Sequence, residues 1–124
     1  MLKDMEPVAT VAVRDLAVAR KFYEGALGLT VEAENSEVLT FKAGQFTLFV
    51  YRSQFAGTNQ ATAVTWMTGN EIDAIAADLK SRGVVFEHYD MPMLKLEGDL
   101  HVADGMKVAW FKDPDGNILS INGM

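Results

Sequence analysis

The strongest constraint in this sequence is a spacing that occurs twice. Asp15 suits the N-cap of a helix and Gly28 its C-terminal stop, thirteen residues later. Asn70 and Gly83 stand in the same relation, again thirteen residues apart and 55 positions further along. Within the first pair, Leu16, Ala19, Tyr23, Ala26 and Leu27 recur at helical intervals, with Phe22 beside them. Within the second, Ile72, Ile75, Ala76 and Leu79 do the same, and Asp73 stands where a capping-box partner of Asn70 would. Two copies are too few for a solenoid, which needs at least ~3 repeats. The spacing predicts a pseudo-symmetric pair of modules.

The segments around each helix complete the unit. Residues 8–13, 29–33, 38–42 and 46–51 are β-branched or aromatic runs separated by turn residues, and they read as strands. So do 62–67, 84–89, 107–112 and 118–122. Each half then has the order βαβββ: module one over 1–52, a polar connector over 53–60, and module two over 61–124. Residues 91–104 read as an irregular loop over one end of the sheet. The fold class is α+β, with two curved mixed sheets around a cleft and helices on the outer faces. Each sheet has one face covered by its own helix, which leaves the other face to enclose that cleft.

Strand alternation assigns side chains to the two faces. Val11, Val13, Leu48, Val50, Leu119 and Ile121 suit the helix side. Thr10, Thr47, Phe49, Tyr51 and Ser120 then point into the cleft, and pairing across the last hairpin adds Trp110 opposite Ser120. The 62–67 strand leaves two registers open, with either Trp66 or Met67 inward. Thr10, Thr47, Phe49, Tyr51, Trp66, Trp110 and Ser120 form the candidate ligand set: flat apolar walls with a few polar handles, the usual make-up of a small-molecule pocket. The same residues could instead fill a space between modules or between subunits.

Composition removes several function classes. The chain has no cysteine, so it has no disulfide framework, thiol nucleophile or thiolate metal site. Its net charge of −6 repels a phosphate backbone, and no stripe of Lys and Arg counters this, so neither nucleic acid nor an anionic membrane is an expected partner. No run approaches the roughly 18 apolar residues of a membrane span. The charged start of the chain lacks the apolar core of a secretory signal, so a cytoplasmic location is expected. Glu97, Asp99, His101 and Asp104 form an acidic cluster around one histidine, and His88 stands alone on a strand. Both histidines read as surface or hydrogen-bonded groups.

Two segments carry a resemblance. Val13-Arg14-Asp15-Leu16 with Phe22-Tyr23-Glu24-Gly25-Ala26-Leu27-Gly28-Leu29, and Ala109-Trp110-Phe111-Lys112-Asp113-Pro114-Asp115-Gly116-Asn117-Ile118-Leu119, resemble the first-module and second-module signatures of the vicinal oxygen chelate superfamily. That superfamily includes glyoxalases, extradiol dioxygenases, fosfomycin-resistance transferases and bleomycin-binding proteins. Together with the module order, the resemblance covers essentially the whole chain. Phe22 and Tyr23 are expected to be core and helix flank, and residues 113–117 a hairpin turn. The resemblance implies a divalent metal held by His, Gln or Glu at four strand positions, acting as a Lewis acid. Those positions fall here on Val8, Phe49, Ala63 or Val64, and Ser120, none of them a strong ligand. The expectation is therefore a metal-independent protein without a cofactor that binds an apolar or aromatic small molecule. The alternatives are a glyoxalase-like lyase or dioxygenase with a divergent active site, and a structural dimer without a ligand. The resemblance also implies a homodimer, with the connector free to cross between chains.

Overall fold

The computed structural model describes residues 1–124. The first sheet holds β1 (Ala9–Val13), β2 (Thr30–Glu34), β3 (Val38–Ala43) and β4 (Phe46–Arg52), in the order β1-β4-β3-β2. The second holds β5 (Thr62–Gly69), β6 (Phe86–Glu87), β7 (Lys95–Glu97), β8 (Leu100–Ala103), β9 (Met106–Lys112) and β10 (Ile118–Gly123). Its main path is β5-β10-β9-β8-β7, with β6 also on β9. In both sheets the first strand lies parallel to the last, and the last is antiparallel to the one before it. The fold is thus α+β, built twice on one pattern. No helix is long and apolar enough to cross a membrane.

The helices show what the spacing captured and what it missed. Helix α1 (Leu16–Arg20) is capped by Asp15, whose carboxylate accepts from the Ala17 and Val18 amides at 2.9 and 3.3 Å. It then widens into a π-turn over Lys21–Ala26, with Leu27 N–H donating to Phe22 C=O, and ends at Gly28 with φ 75°. Helix α2 (Ile72–Ser81) does not use Asn70 as its cap. The Glu71 amide donates to Thr68 C=O, so Asn70 lies inside the turn that closes β5, and Glu71 becomes the N-cap without a side-chain bond. The loop expected over 91–104 is instead largely a hairpin, β7 with β8, turning at Gly98. Strand β6 keeps only two residues of the expected 84–89, because β8 takes the next stretch of the same β9 edge.

One core of 18 buried residues draws on both modules. Val11, Val13, Leu48 and Val50 enter it from the first sheet, and Phe111, Leu119 and Ile121 from the second. Phe111 is 1 % exposed. It touches Phe22, Trp66 and Phe86, with ring centroids 6.4, 6.5 and 5.9 Å away. Burying a side chain of this kind contributes about 1.5–3 kcal/mol.

A polar clasp joins the modules beside that core. The Tyr23 hydroxyl donates to Asp113 Oδ2 at 2.7 Å, across 90 residues of sequence. Asn117 Nδ2 donates to the same oxygen and to Ala12 C=O, both at 2.7 Å. Asp113 Oδ1 accepts from the Asp115 and Asn117 amides at 2.9 Å. Burial, reinforced by the Asp113 charge, pushes the Tyr23 phenol far above its ordinary value. Residues 113–117 therefore do more than reverse the chain: their buried carboxylate and amide hold the π-turn that follows α1, and β1, of the other module.

Candidate functional site

The β9–β10 register places Trp110 opposite Ser120, as expected. The indole Nε1–H of Trp110 donates to Thr62 Oγ1 on β5 at 3.1 Å. Since β10 lies between β9 and β5, the ring must lie across β10, over Ser120. Ser120 is 2 % exposed, and its hydroxyl is 2.8 Å from that of Thr65. On the first sheet, Phe49 and Tyr51 stand on the face away from α1, 37 % and 38 % exposed. They are therefore not core filler within one chain.

Strand β5 settles the open register. It pairs in parallel with β10, Trp66 beside Ile121 and Met67 beside Asn122. Trp66 thus shares the helix side with Ile121 and stacks on Phe111, whereas Met67 turns to the other face. The periodicity of 62–67 alone could not show this, because the deciding contact is a partner strand more than 50 residues away.

Two concavities lie along the seam where β1 and β5 approach each other. The larger, about 770 Å³, opens between the start of β1, the β3–β4 turn and the middle of β5. Val8, Phe46, Thr47, Val64, Thr65 and Trp66 are among its lining residues. None of its lining residues is ionisable. The second, about 310 Å³, includes Thr10, Ala12 and Tyr51 of the first module, Ala63 and Asn117 of the second, and Phe55 and Gly57 of the connector. The candidate ligand set is therefore divided. Thr47 and Trp66 share the larger cleft, Thr10 and Tyr51 the smaller, and Phe49, Trp110 and Ser120 line neither.

Of the positions at which the resemblance expects metal ligands, Val8 and Val64 line the larger cleft, and Ala63, the alternative to Val64, lines the smaller. Phe49 lies one residue pair along β4 from Thr47, and Ser120 is engaged with Thr65. Three hydrocarbon side chains and one buried hydroxyl do not fit a divalent ion. The histidines have other partners. His88 Nε2 is 2.8 Å from Asp99 Oδ1, and Lys80 holds the other Asp99 oxygen at 3.0 Å. These contacts lower the Asp99 carboxyl below its ordinary value, the His88 hydrogen bond most and the Lys80 bond next. His101 is buried against Tyr89 and Trp110. The cleft offers apolar surface with hydroxyl and amide groups at its edges, and it holds neither an acid–base pair nor a nucleophile poised by a base.

Known structures share this architecture. A glyoxalase family protein from Enterococcus faecalis superposes with a TM-score of 0.74 at 21% identity, covering 98% of this chain and 99% of its own. A lactoylglutathione lyase from Agrobacterium tumefaciens gives 0.71 at 17% identity, with coverage of 95% and 92%. TnmS3, an antibiotic binding protein from Streptomyces sp. CB03234, gives 0.64 at 21% identity, with 96% of each chain covered. No curated protein matches the sequence. The sequence profile of one family matches residues 7–121, nearly the full length of both modules. The chain belongs to the Glyoxalase/Bleomycin resistance protein/Dioxygenase superfamily.

Proposed function

We propose that this protein binds an apolar or aromatic small molecule between its modules without the help of a metal ion. The observation that carries the reading is the seam cleft of about 770 Å³, which has no ionisable lining residue and has Val8 where the family resemblance would put a metal ligand, and hydrocarbon at either alternative, Ala63 or Val64, for another. Such a cavity gains from displacing water off Val8, Phe46, Val64 and Trp66, and its threonines can orient a polar substituent. The likeness to an antibiotic binding protein agrees with this class of ligand. A metal-dependent lyase or dioxygenase would need chelating side chains where Val8, Phe49 and Ala63 or Val64 stand. The half-exposed Phe49 and Tyr51 suit a homodimer interface, and sedimentation at micromolar concentration tests it, a single 13.6 kDa species counting against it.

The test follows the indole N–H signals of Trp66 and Trp110 in the labelled protein, assigned with Trp66→Phe and Trp110→Phe, during titration with naphthalene and related aromatic compounds. Saturable movement of the Trp66 signal is expected, and Val8→Trp, which fills the cleft, should abolish it. A Trp66 signal that no compound in a broad aromatic set displaces would refute the proposal.

A further inference from the structure

A third hollow, of about 260 Å³, opens beside α2 on the helix side of the second sheet. Leu27 reaches it from the first module, just past the π-turn, and Ile75 and Leu79 reach it from α2. Phe111 and Ile121, both buried, also line it. Trp66 lines this hollow and the larger seam cleft alike, so the two are neighbours along β5. An apolar cavity of ~150 Å³ accepts one benzene ring. The volume here suits a ring with a short side chain, or a hydrocarbon chain of similar bulk.

Only two polar residues line the hollow, Thr68 and Glu71. The Thr68 hydroxyl is engaged, donating to Asn122 C=O at 2.9 Å. The Glu71 carboxylate is not. Glu71 is the N-cap of α2, yet its side chain makes no bond to the helix amides. None of the nine ion pairs of the chain includes it. The other acids of the same helix are paired: Asp73 holds Lys107 at 2.8 Å and Asp78 holds Arg82 at 3.1 Å. The one carboxylate of α2 that borders an apolar hollow is thus the one without a cation.

This arrangement selects by charge. A carboxylate ligand would meet Glu71 and the net −6 of the whole chain. A neutral ligand would fill the hollow but take nothing from Glu71. An ammonium on a hydrocarbon body buries the body against Leu27, Ile75 and Leu79 and keeps its charged end in water beside the carboxylate, as a lysine side chain does on a protein surface.

We propose that the hollow beside α2 is a second binding site, distinct from the seam cleft, for a small primary ammonium with an aryl or alkyl body, and that Glu71 selects its charge.

The test compares 2-phenylethylammonium with its neutral counterpart 2-phenylethanol on the full chain, labelled at the Ile, Leu and Val methyl groups. Ile75 and Leu79 line only this hollow, and Val8 and Val64 only the seam cleft, so their methyl signals tell the two sites apart. The ammonium should move Ile75 and Leu79 saturably and bind about three- to fivefold tighter than the alcohol, which is what an exposed ion pair adds. Glu71→Gln should remove that advantage and leave the midpoint of the alcohol unchanged. In the natural chain, about 0.5 M NaCl should shrink the advantage by screening. Ile75 and Leu79 signals that neither compound moves would overturn the site. Shifts confined to Val8 and Val64 would overturn it too, by assigning the ligand to the seam cleft. Equal midpoints for the two compounds, or an advantage that survives Glu71→Gln, would overturn the role of Glu71. The seam cleft is tested by naphthalene and Val8→Trp, so none of these failures carries over to it.

Discussion

Replacing Tyr23 with phenylalanine removes one oxygen atom and isolates what the clasp contributes. The lost bond runs from a phenol to a carboxylate, a class worth about 1.5–3 kcal/mol. Asp113 Oδ2 retains Asn117 Nδ2, and Oδ1 retains two backbone amides, so the carboxylate is not left unpaired. The cost should therefore fall at the low end, about 1.5 kcal/mol. Urea denaturation should register it as a midpoint lower by about 1 M with an unchanged slope. The pH dependence supplies a second signature. The Tyr23 pKa is raised in the folded state, so its contribution is complete below the ordinary value of 10.0 and is lost as pH rises above it, where only the unfolded chain ionises. Between pH 9 and 11 the natural chain should lose about 1.4 kcal/mol that Tyr23→Phe does not lose. Asp113→Ala, which strands four donors at once, should cost more than about 4 kcal/mol. A Tyr23→Phe chain within about 0.5 kcal/mol of the natural one, with the same alkaline slope, would refute the clasp as a source of stability.

Gly57 has φ 74°, and a Cβ there would sit 2.1 Å from Asp115 C=O, so Gly57→Ala should cost more than about 2 kcal/mol in thermal or urea unfolding. Phe111→Ala should cost about 3–5 kcal/mol and shift Trp66 emission to the red, because the stacked ring is gone. The Asp99 carboxyl is lowered in the folded state, so its contribution is present above its ordinary 3.8 and fades as pH falls below it. Asp99→Asn should flatten the acid limb of a stability profile by less than about 1 kcal/mol, the pair being largely solvent-screened.

Local pattern made most of the fold legible. Alternation in β1, β4 and β10 separated Val11, Val50 and Leu119 on the helix side from their neighbours on the opposite face, and the last hairpin register followed from its turn. Gly28 and Gly83 end their helices because a positive φ suits glycine. What stayed hidden is non-local. Trp66 takes its face from a parallel partner strand, and β8 displaces β6 along an edge that no short window contains. The clasp links a helix to a turn 90 residues away, so Asp113 and Asn117 look locally like ordinary turn residues. The site followed the same division: apolar and hydroxyl-bearing residues could be named along the strands, but the split of Thr47 and Trp66 into one concavity and Thr10 into another, with Trp110 in neither, could not be read.

The clasp also breaks the symmetry of the repeat. In the second module β9 and β10 are joined by five residues that reach back to Tyr23 and Ala12, whereas β3 and β4 are joined by only Gly44 and Gln45. The first module has no equivalent arm to offer. Two first modules placed together would leave both Tyr23 hydroxyls unclaimed inside an apolar core, and two second modules would leave both Asp113 carboxylates short of a donor. The halves are thus a plug and a socket rather than interchangeable copies, so neither half of a severed chain can complete the joint by pairing with its own kind.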